Sequence, residues 1–246
     1  MVIAIDGPGG VGKSTVSARV AAALGYPHLD TGSTYRAAGL LALRSAAKLS
    51  DSEAVVTAVD DADITIEQGV VRIDGADATE ELRADRVTAA SSTVAAHPEV
   101  RAGIVALQRA WVADHGNAAV VEGRDIGTVV FPDAPVKIYL TARPEVRAAR
   151  RATDAEAASK TLEQIAAELS SRDHAYSTRA TSPLRPADDA IIVDTIDLAI
   201  DEVVDTILEV IEQAEANLRC GGCADRPLPG SRRNHGRSEI SQSPGS

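Results

Sequence analysis

Short apolar segments alternate with longer amphipathic ones along most of this chain. Apolar runs rich in Val, Ile and Ala predict strands buried on both faces, as in a parallel sheet. The predicted core strands are Val2–Asp6, His28–Asp30, Ala118–Glu122, Val136–Leu140 and Ala190–Val193. The predicted helices are Lys13–Leu24, Ser33–Ser45, Pro98–Asp114, Pro144–Arg151, Leu162–Arg172 and Ile200–Leu218. This order predicts an α/β fold with a five-stranded parallel sheet between two layers of helices.

Two stretches depart from this alternation. Asp63–Glu67 and Val70–Ile73 alternate apolar and polar residues with period two across a Gln-Gly turn, which predicts a β-hairpin. We expect it to form a small antiparallel insertion, within residues 60–85, between the second and third core strands. Thr153–Lys160 interrupts the later helices and is a candidate for a mobile lid.

Composition indicates a large aliphatic core and a tail of different character. Hydrophobic residues make up 44% of the 246 residues but aromatic residues only 2%, so Ala, Val, Ile and Leu must fill the core. From Asn217 onward Gly, Pro, Ser and Arg dominate, and we expect disorder over 217–246. Cys220 and Cys223 could begin a zinc site, but His235 is the one nearby partner, so an unstructured tail is the favoured interpretation.

The charge balance limits the partners of the chain. The net charge is −11, and the tail carries an excess of arginine, so the rest of the chain is more acidic still. Because nucleic acid binds to basic surfaces, we expect no nucleic-acid partner. We also expect a cytoplasmic monomer without a membrane contact, since no segment resembles a signal peptide or a membrane helix and both cysteines lie in the tail.

A phosphate-binding motif follows the first predicted strand. It meets every requirement of G-x-x-x-x-G-K-[ST], and a predicted helix begins directly after it. Its glycines let backbone N–H groups point at phosphate oxygens, while the lysine reaches the β- and γ-phosphates and the hydroxyl of Ser14 completes a Mg²⁺ site. The predicted ATP-binding residues are Gly7, Pro8, Gly9, Gly10, Val11, Gly12, Lys13, Ser14 and Thr15.

Three further clusters lie where a second substrate would bind. Asp30–Arg36 follows the second strand, and Glu122–Thr128 follows the third, where an acid that assists a phosphate-binding loop often lies. Arg172 and Arg179 are two helical turns apart, so both could face one site. Taken singly, these residues also have simpler explanations: Arg36 and Arg179 could be solvated, and Asp30 could cap a helix. Taken together, the clusters are suited to bind a second phosphorylated substrate.

The motifs together resemble bacterial cytidylate kinases. The resemblance is carried by residues 5–15 (IDGPGGVGKST), 29–36 (LDTGSTYR), 122–138 (EGRDIGTVVFPDAPVKI) and 182–184 (SPL), and it extends from residue 2 to about residue 212. It implies a domain spanning 1–216, with a phosphate-loop core, a nucleotide-binding insertion and a helical lid over 147–160. It also implies transfer of the γ-phosphoryl group of ATP to CMP or dCMP, with Mg²⁺.

The resemblance also implies a division of the site. Thr31, Arg101 and Asp125 would read the cytosine edge. Ser92 and Arg172 would contact the sugar. The acceptor phosphate would be held by Arg36, Arg124 and Arg179. Asp30, Tyr35 and Tyr176 would complete the CMP site. Lys13 and the lid residues Arg147, Arg150 and Arg151 would be the catalytic cations.

One position departs from the family pattern. Tyr176 stands where the family usually has an aspartate, associated with hydroxyls of the pentose. A phenol also forms hydrogen bonds, but it is bulkier and neutral at physiological pH. We therefore expect an altered preference between ribose and deoxyribose, or weaker binding of the acceptor.

Two alternatives stay open from the sequence. A kinase for another small metabolite would share the phosphate-binding loop, although the insertion and the Gly123–Lys137 run favour the cytidylate assignment. A nucleotide-binding regulatory protein without transfer activity would be consistent with Tyr176 and the unusual tail. A GTPase is disfavoured because the chain lacks the Asn-Lys-x-Asp run that reads guanine.

Overall fold

A computed structural model describes residues 1–153, 160–179 and 181–219 of the chain. Residues 154–159, in the segment predicted to form a lid, lie outside the described residues. So do residues 220–246, with the Cys220 and Cys223 pair and nearly all of the predicted tail. No helix within the described ranges is both long enough and apolar enough to cross a membrane.

The central feature is a sheet of five parallel strands in the order β2-β6-β1-β7-β8. A second, antiparallel sheet contains β3, β4 and β5. The strands are β1 (Val2–Asp6), β2 (His28–Asp30), β3 (Ile64–Glu67), β4 (Val70–Ile73), β5 (Ala76–Asp77), β6 (Ala119–Gly123), β7 (Val136–Thr141) and β8 (Ile191–Asp194). The predicted five-stranded parallel sheet and the antiparallel insertion are therefore confirmed.

The helices cover both faces of the parallel sheet. The α-helices are α1 (Lys13–Leu24), α2 (Thr31–Arg44), α3 (Ser52–Asp60), α4 (Asp85–Val94), α5 (Pro98–Asp114), α6 (Pro144–Ala152), α7 (Leu162–Ser177) and α8 (Ile200–Arg219). A short 3₁₀ turn covers Glu81–Arg83, and a single π-helical turn covers Ile126–Val130.

Alternating residues of β1 supply the two halves of the core. Ala4 packs into a cluster with α2, α5 and the antiparallel sheet. Ile3 and Ile5 point the other way, into a cluster with α1 and α8. All three side chains have no solvent exposure, which explains why the strand is apolar at every core position rather than at alternate ones.

Two helices were not predicted, and one was predicted too short. The segment of α4 is rich in Ser, Thr and Val, which are poor helix formers, so its intrinsic helix propensity is low. It forms because it packs closely on α2: a Cβ on Gly39 would lie 2.8 Å from the backbone nitrogen of Ser91. Helix α3 is short, with Val55 as its one buried residue.

The end of α7 affects the site directly. The helix continues to Ser177, beyond the predicted end at Arg172, so Tyr176 lies on its last turn. Arg179 lies two residues past the helix, which corrects the expectation that Arg172 and Arg179 share one helical stretch.

Candidate active site

The carboxyl ends of the parallel strands bring acidic residues from separate segments to one edge of the sheet. Asp30 at the end of β2 is in register with Glu122 of β6. Asp6 at the end of β1 is in register with Gly123. Because the phosphate-binding loop also leaves this edge, the predicted site lies where ligands bind in open α/β sheets.

The phosphate-binding loop runs from the end of β1 to the start of α1, as the motif predicted. The ammonium of Lys13 folds back over the loop and donates to the carbonyl of Pro8 at 2.8 Å. Gly10 has a φ of 78°, and a Cβ there would lie 2.8 Å from the carbonyl oxygen of Arg147. Only glycine fits both the backbone conformation and this close approach of α6.

The charge of Lys13 is sensitive to its surroundings. Desolvation disfavours the ammonium, and the neighbouring Arg124 guanidinium repels it, whereas Glu122 and Asp6 favour it. The balance lowers the pKa of Lys13 from 10.5 to about 8. Anionic phosphates would restore the cationic form, so the lysine is suited to bind them.

Two side chains with oxygen atoms that could bind a metal ion lie beside the start of α1. The hydroxyl of Ser14 donates to Glu122 Oε2 at 3.2 Å, and Glu122 is almost fully buried. Glu122 Oε1 lies 3.2 Å from His28 Nε2, but this oxygen accepts no hydrogen bond from any described residue. Hard oxygen ligands, one with an unused lone pair, fit Mg²⁺, which usually takes one or two protein oxygens beside phosphate and water.

Asp6 organises the backbone beyond β6. Its two carboxylate oxygens accept from the N–H groups of Ile126 and Gly127, at 2.9 and 2.8 Å. Burial raises the pKa of Asp6 to about 6, despite these two hydrogen bonds. The π-helical turn that starts at Ile126 is thereby tied to the end of β1, which fixes the direction of the preceding Arg124 and Asp125.

The predicted base-reading pair is an ion pair in the core of the site. Arg101 of α5 donates to Asp125, and the two residues are 4% and 5% exposed. The Arg101 guanidinium carbon lies 5.3 Å from the centre of the Tyr35 ring. Burial raises the pKa of Tyr35 to about 12, so its phenol stays neutral. Together they form a polar surface held in place by burial.

Asp30 has the plainer role that the sequence left open, since it caps α2. Its side chain accepts from the Gly32 N–H at 2.8 Å and from Arg36 at 2.6 Å, so both carboxylate oxygens are occupied. Next to it, the buried hydroxyl of Thr31 donates to the Glu122 carbonyl at 2.7 Å. The arrangement holds Arg36 against the start of α2, close to the sheet edge.

Asp173 of α7 bridges groups that would bind a phosphate. It accepts from the Gly9 N–H of the phosphate-binding loop at 3.4 Å and from Arg124 at 3.4 Å. It also forms an ion pair with Arg147 of α6, which in turn donates to the Gly9 carbonyl at 3.0 Å. The Asp173 carboxylate thus makes the contacts expected of a bound phosphate. These contacts also hold α7 against the phosphate-binding loop.

The three predicted lid arginines have different surroundings. Arg147 is buried against the phosphate-binding loop. Arg150 donates to the hydroxyl of Thr195 at 2.7 Å and to the carbonyl of Val11 at 3.5 Å, which ties α6 to the start of the β8–α8 connection. Arg151 lines a separate hollow with Lys160 of the segment before α7. The structure therefore brings two of the three to the loop.

The residues predicted to bind the sugar and the acceptor phosphate come together around Tyr176, at the end of α7. The Tyr176 hydroxyl lies 3.5 Å from the hydroxyl of Ser92 on α4, and Arg124 and Arg179 lie over its ring. Burial opposes ionisation, but the surrounding arginines and Ser92 together lower the pKa of Tyr176. Arg172 lines the same hollow as Arg151, and its buried Nε has no partner among the described residues.

The predicted site residues did not include Asp6, His28 or Asp173. Glu122 was indicated only as an acid at a position that often assists a phosphate-binding loop, and no ligand was assigned to it. Strand ends gave a signal for Asp6 and Glu122, since each follows an apolar run at the edge that carries the loop. Asp173 adjoins Arg172 in a cluster that the sequence did single out. His28 had no such signal, because its contact with Glu122 depends on the pairing of β2 with β6.

Comparisons with known proteins agree with this geometry. A family model described as cytidylate kinase matches residues 3–213. The cytidylate kinase of Nocardia farcinica is 48% identical over 219 residues, which cover 87% of this chain and 94% of that protein. The cytidylate kinase of Paraburkholderia xenovorans is 42% identical over 213 residues, covering 86% and 92%. Among solved structures, a gluconokinase from Sinorhizobium meliloti aligns with a TM-score of 0.41 and 16% identity over 89% of this chain and 95% of that one, too distant to bear on fold or function.

Proposed function

This chain belongs to the cytidylate kinase family, and from that membership we propose how its residues divide the reaction. Members of the family transfer the γ-phosphoryl group of ATP to CMP or dCMP. Phosphoryl transfer of this kind needs positioning and charge neutralisation more than a strong base. We assign the two tasks to separate groups of residues on either side of the strand edge.

The acceptor base is read by Arg101 and Asp125, with Thr31 beside them. Cytosine presents an exocyclic amine donor next to ring-nitrogen and carbonyl acceptors, so one carboxylate and one guanidinium complement it. Uracil has a carbonyl in place of the amine and would face the carboxylate of Asp125 with an acceptor. The buried ion pair between Arg101 and Asp125 is the observation that carries this assignment.

The phosphates of the two substrates are held by cations on both sides of the loop. On the donor side, Gly7–Thr15 wraps the phosphates of ATP, and Lys13 neutralises charge on the transferred group. On the acceptor side, Arg36, Arg124 and Arg179 hold the phosphate of CMP. Arg147, Arg150 and Arg151 add positive charge from α6.

The sugar of the acceptor is contacted by three residues of α4 and α7: Ser92, Arg172 and Tyr176.

Phosphate that binds at Gly9 displaces the Asp173 carboxylate, because both are anions that accept from the same N–H group. Closure of the α6–α7 region over the substrates then excludes water and limits hydrolysis of ATP.

Ser14 and Glu122 would hold Mg²⁺ together with the phosphates of ATP. When bound, the ion would neutralise negative charge on the phosphoryl groups. The chain acts as a monomer in the cytoplasm on small nucleotides, without nucleic acid or membrane partners; the acidic net charge of −11 supports the exclusion of nucleic acid.

Asp125→Asn tests the base assignment. An amide can turn either its oxygen or its NH₂ toward the base, so it serves cytosine and uracil alike. We expect the ratio of kcat/KM for CMP over UMP to fall by about tenfold to a hundredfold, the range for a hydrogen bond to a charged group. An unchanged ratio would refute the role of Asp125.

Asp189→Asn is the matched control. Asp189 also pairs with a cation, Lys137 at 2.8 Å, but it lies on an exposed loop before β8. The control variant should keep the CMP over UMP ratio of the wild type. Thermal unfolding of both variants separates lost discrimination from lost folding, since breaking a buried ion pair costs about 3–5 kcal/mol of stability.

A further inference from the structure

Tyr176 lies at a junction of two cations that come from different parts of the chain. The Arg124 guanidinium carbon lies 4.1 Å from the centre of the Tyr176 ring, and that of Arg179 lies 4.7 Å from it. Arg124 follows β6, and Arg179 follows α7. One aromatic ring therefore supports two guanidinium groups that separate elements deliver.

A guanidinium group that lies over an aromatic ring keeps more of its N–H donors available than one that pairs with a carboxylate. A cation that lies over an aromatic ring is attracted by the π-electrons of the ring, and this attraction needs no hydrogen-bond acceptor. The five N–H donors of arginine lie in the plane of the group, so they stay available to a second partner. A carboxylate would accept those same donors and compete with a phosphate for them.

The remaining contacts of the two arginines leave donors unused. Arg179 donates to the carbonyl of Ser182 at 2.6 Å and to that of Ala95 at 3.5 Å, while its buried Nε has no hydrogen-bond partner among the described residues. Within the part of the chain that the structure describes, the one hydrogen bond that Arg124 donates is long, 3.4 Å to Asp173. A buried donor without a partner is costly unless a ligand satisfies it.

We propose that Tyr176 is a positioning residue for the acceptor phosphate: its ring holds Arg124 and Arg179 by cation–π contact and takes no N–H donor as a hydrogen-bond acceptor would, so donors stay free for phosphate oxygens. This inference rests on the proposed function, and it adds to the sugar contact a separate task for the ring. The hydroxyl beside Ser92 serves the sugar, and the ring serves the phosphate.

Two substitutions separate these tasks. Tyr176→Leu removes the ring, and Tyr176→Phe keeps it without the hydroxyl. We expect Tyr176→Leu to raise KM for CMP about tenfold, as the loss of two cation–π contacts implies, and to change KM for ATP by less than about twofold. Tyr176→Phe should restore most of the CMP affinity. Tyr26→Leu, in the apolar cluster on the other face of the sheet, controls for the loss of a tyrosine.

Each outcome decides the proposal. A Leu variant with the KM of the wild type, or a Phe variant as impaired as the Leu variant, would show that the ring does not position the arginines. Equal losses for CMP and ATP would indicate a structural role instead. If the wild type prefers another nucleoside monophosphate, the proposed function fails, yet the same variants test the ring with that acceptor. A wild type that turns over no monophosphate overturns both.

Discussion

At the scale of single residues, the site is built from charges that partner one another in a buried setting. Arg101 with Asp125, and Asp173 with Arg147, are ion pairs largely hidden from water. Such pairs cost desolvation energy and contribute little net stability. Their value lies in orientation, because each group is already placed when a substrate arrives, and it need only exchange one partner for another.

Lys13 gives a prediction about pH. A lysine is cationic below its pKa, and the pKa of Lys13 is lowered to about 8 in the free protein. The value of kcat/KM for ATP reports on the free enzyme, so we expect it to fall as pH rises through about 8, approaching a tenfold loss per pH unit. A pH profile of initial rates from about pH 6 to pH 10 measures this.

Lys13→Arg is the control for that profile. Its guanidinium keeps its charge throughout the range, so the variant should lose activity through altered shape but show no decline near pH 8. Lys13→Ala should abolish transfer to any acceptor. A wild-type profile that stays level to pH 10 would contradict the proposed dependence on the Lys13 ammonium.

At the scale of elements, the core strands and the loop were predictable from the sequence, and two of the described α-helices, α3 and α4, were not. Buried parallel strands are continuous apolar runs, so β1, β2, β6, β7 and β8 were found within about one residue of their ends. The π-helical turn at Ile126–Val130 gave no pattern, since it depends on the distant Asp6 carboxylate. Helix α4 depends on contact with Gly39 rather than on its own propensity.

The same distinction applies to the site. Residues in local motifs, such as Lys13 and Ser14, could be identified from sequence because the loop alone determines their chemistry. The contact between Tyr176 and two arginines could not be identified, because it needs the unpredicted last turn of α7 and the turn after β6 to meet. Nor could sequence show that Asp173 lies against Gly9.

Helix α8 offers a test of how the sheet is held together. Ile207 has no solvent exposure and lies in the cluster that covers Ile3 and Ile5. Ile207→Ala should lower the free energy of unfolding by about 2–5 kcal/mol, through lost burial and a cavity. Urea denaturation measures the change, with Leu218→Ala as the control, since Leu218 on the same helix is 62% exposed and should change stability by less than about 0.5 kcal/mol.

At the scale of the whole molecule, the fold brings three separate stretches to one edge of the sheet. The phosphate-binding loop leaves β1, the Asp30–Arg36 segment leaves β2, and the Gly123–Asp125 segment leaves β6. Helices α6 and α7, which come later in the sequence, contact the phosphate-binding loop at that edge. The antiparallel sheet is anchored on α5, where Trp111 donates to the carbonyl of Ile66 at 2.7 Å. The proposed donor and acceptor sites therefore share one base, the carboxyl edge of the parallel sheet.

The central claim is that this base aligns ATP with a cytidine monophosphate. The measurement that tests it most directly is ADP formation from Mg-ATP with CMP, dCMP, UMP, AMP, GMP and shikimate offered separately. We expect rapid turnover with CMP and dCMP, and far slower turnover with the other acceptors. Preferred turnover of UMP, a purine nucleotide or shikimate would contradict the assignment of Arg101 and Asp125, and ATP binding without turnover of any acceptor would contradict the kinase activity itself.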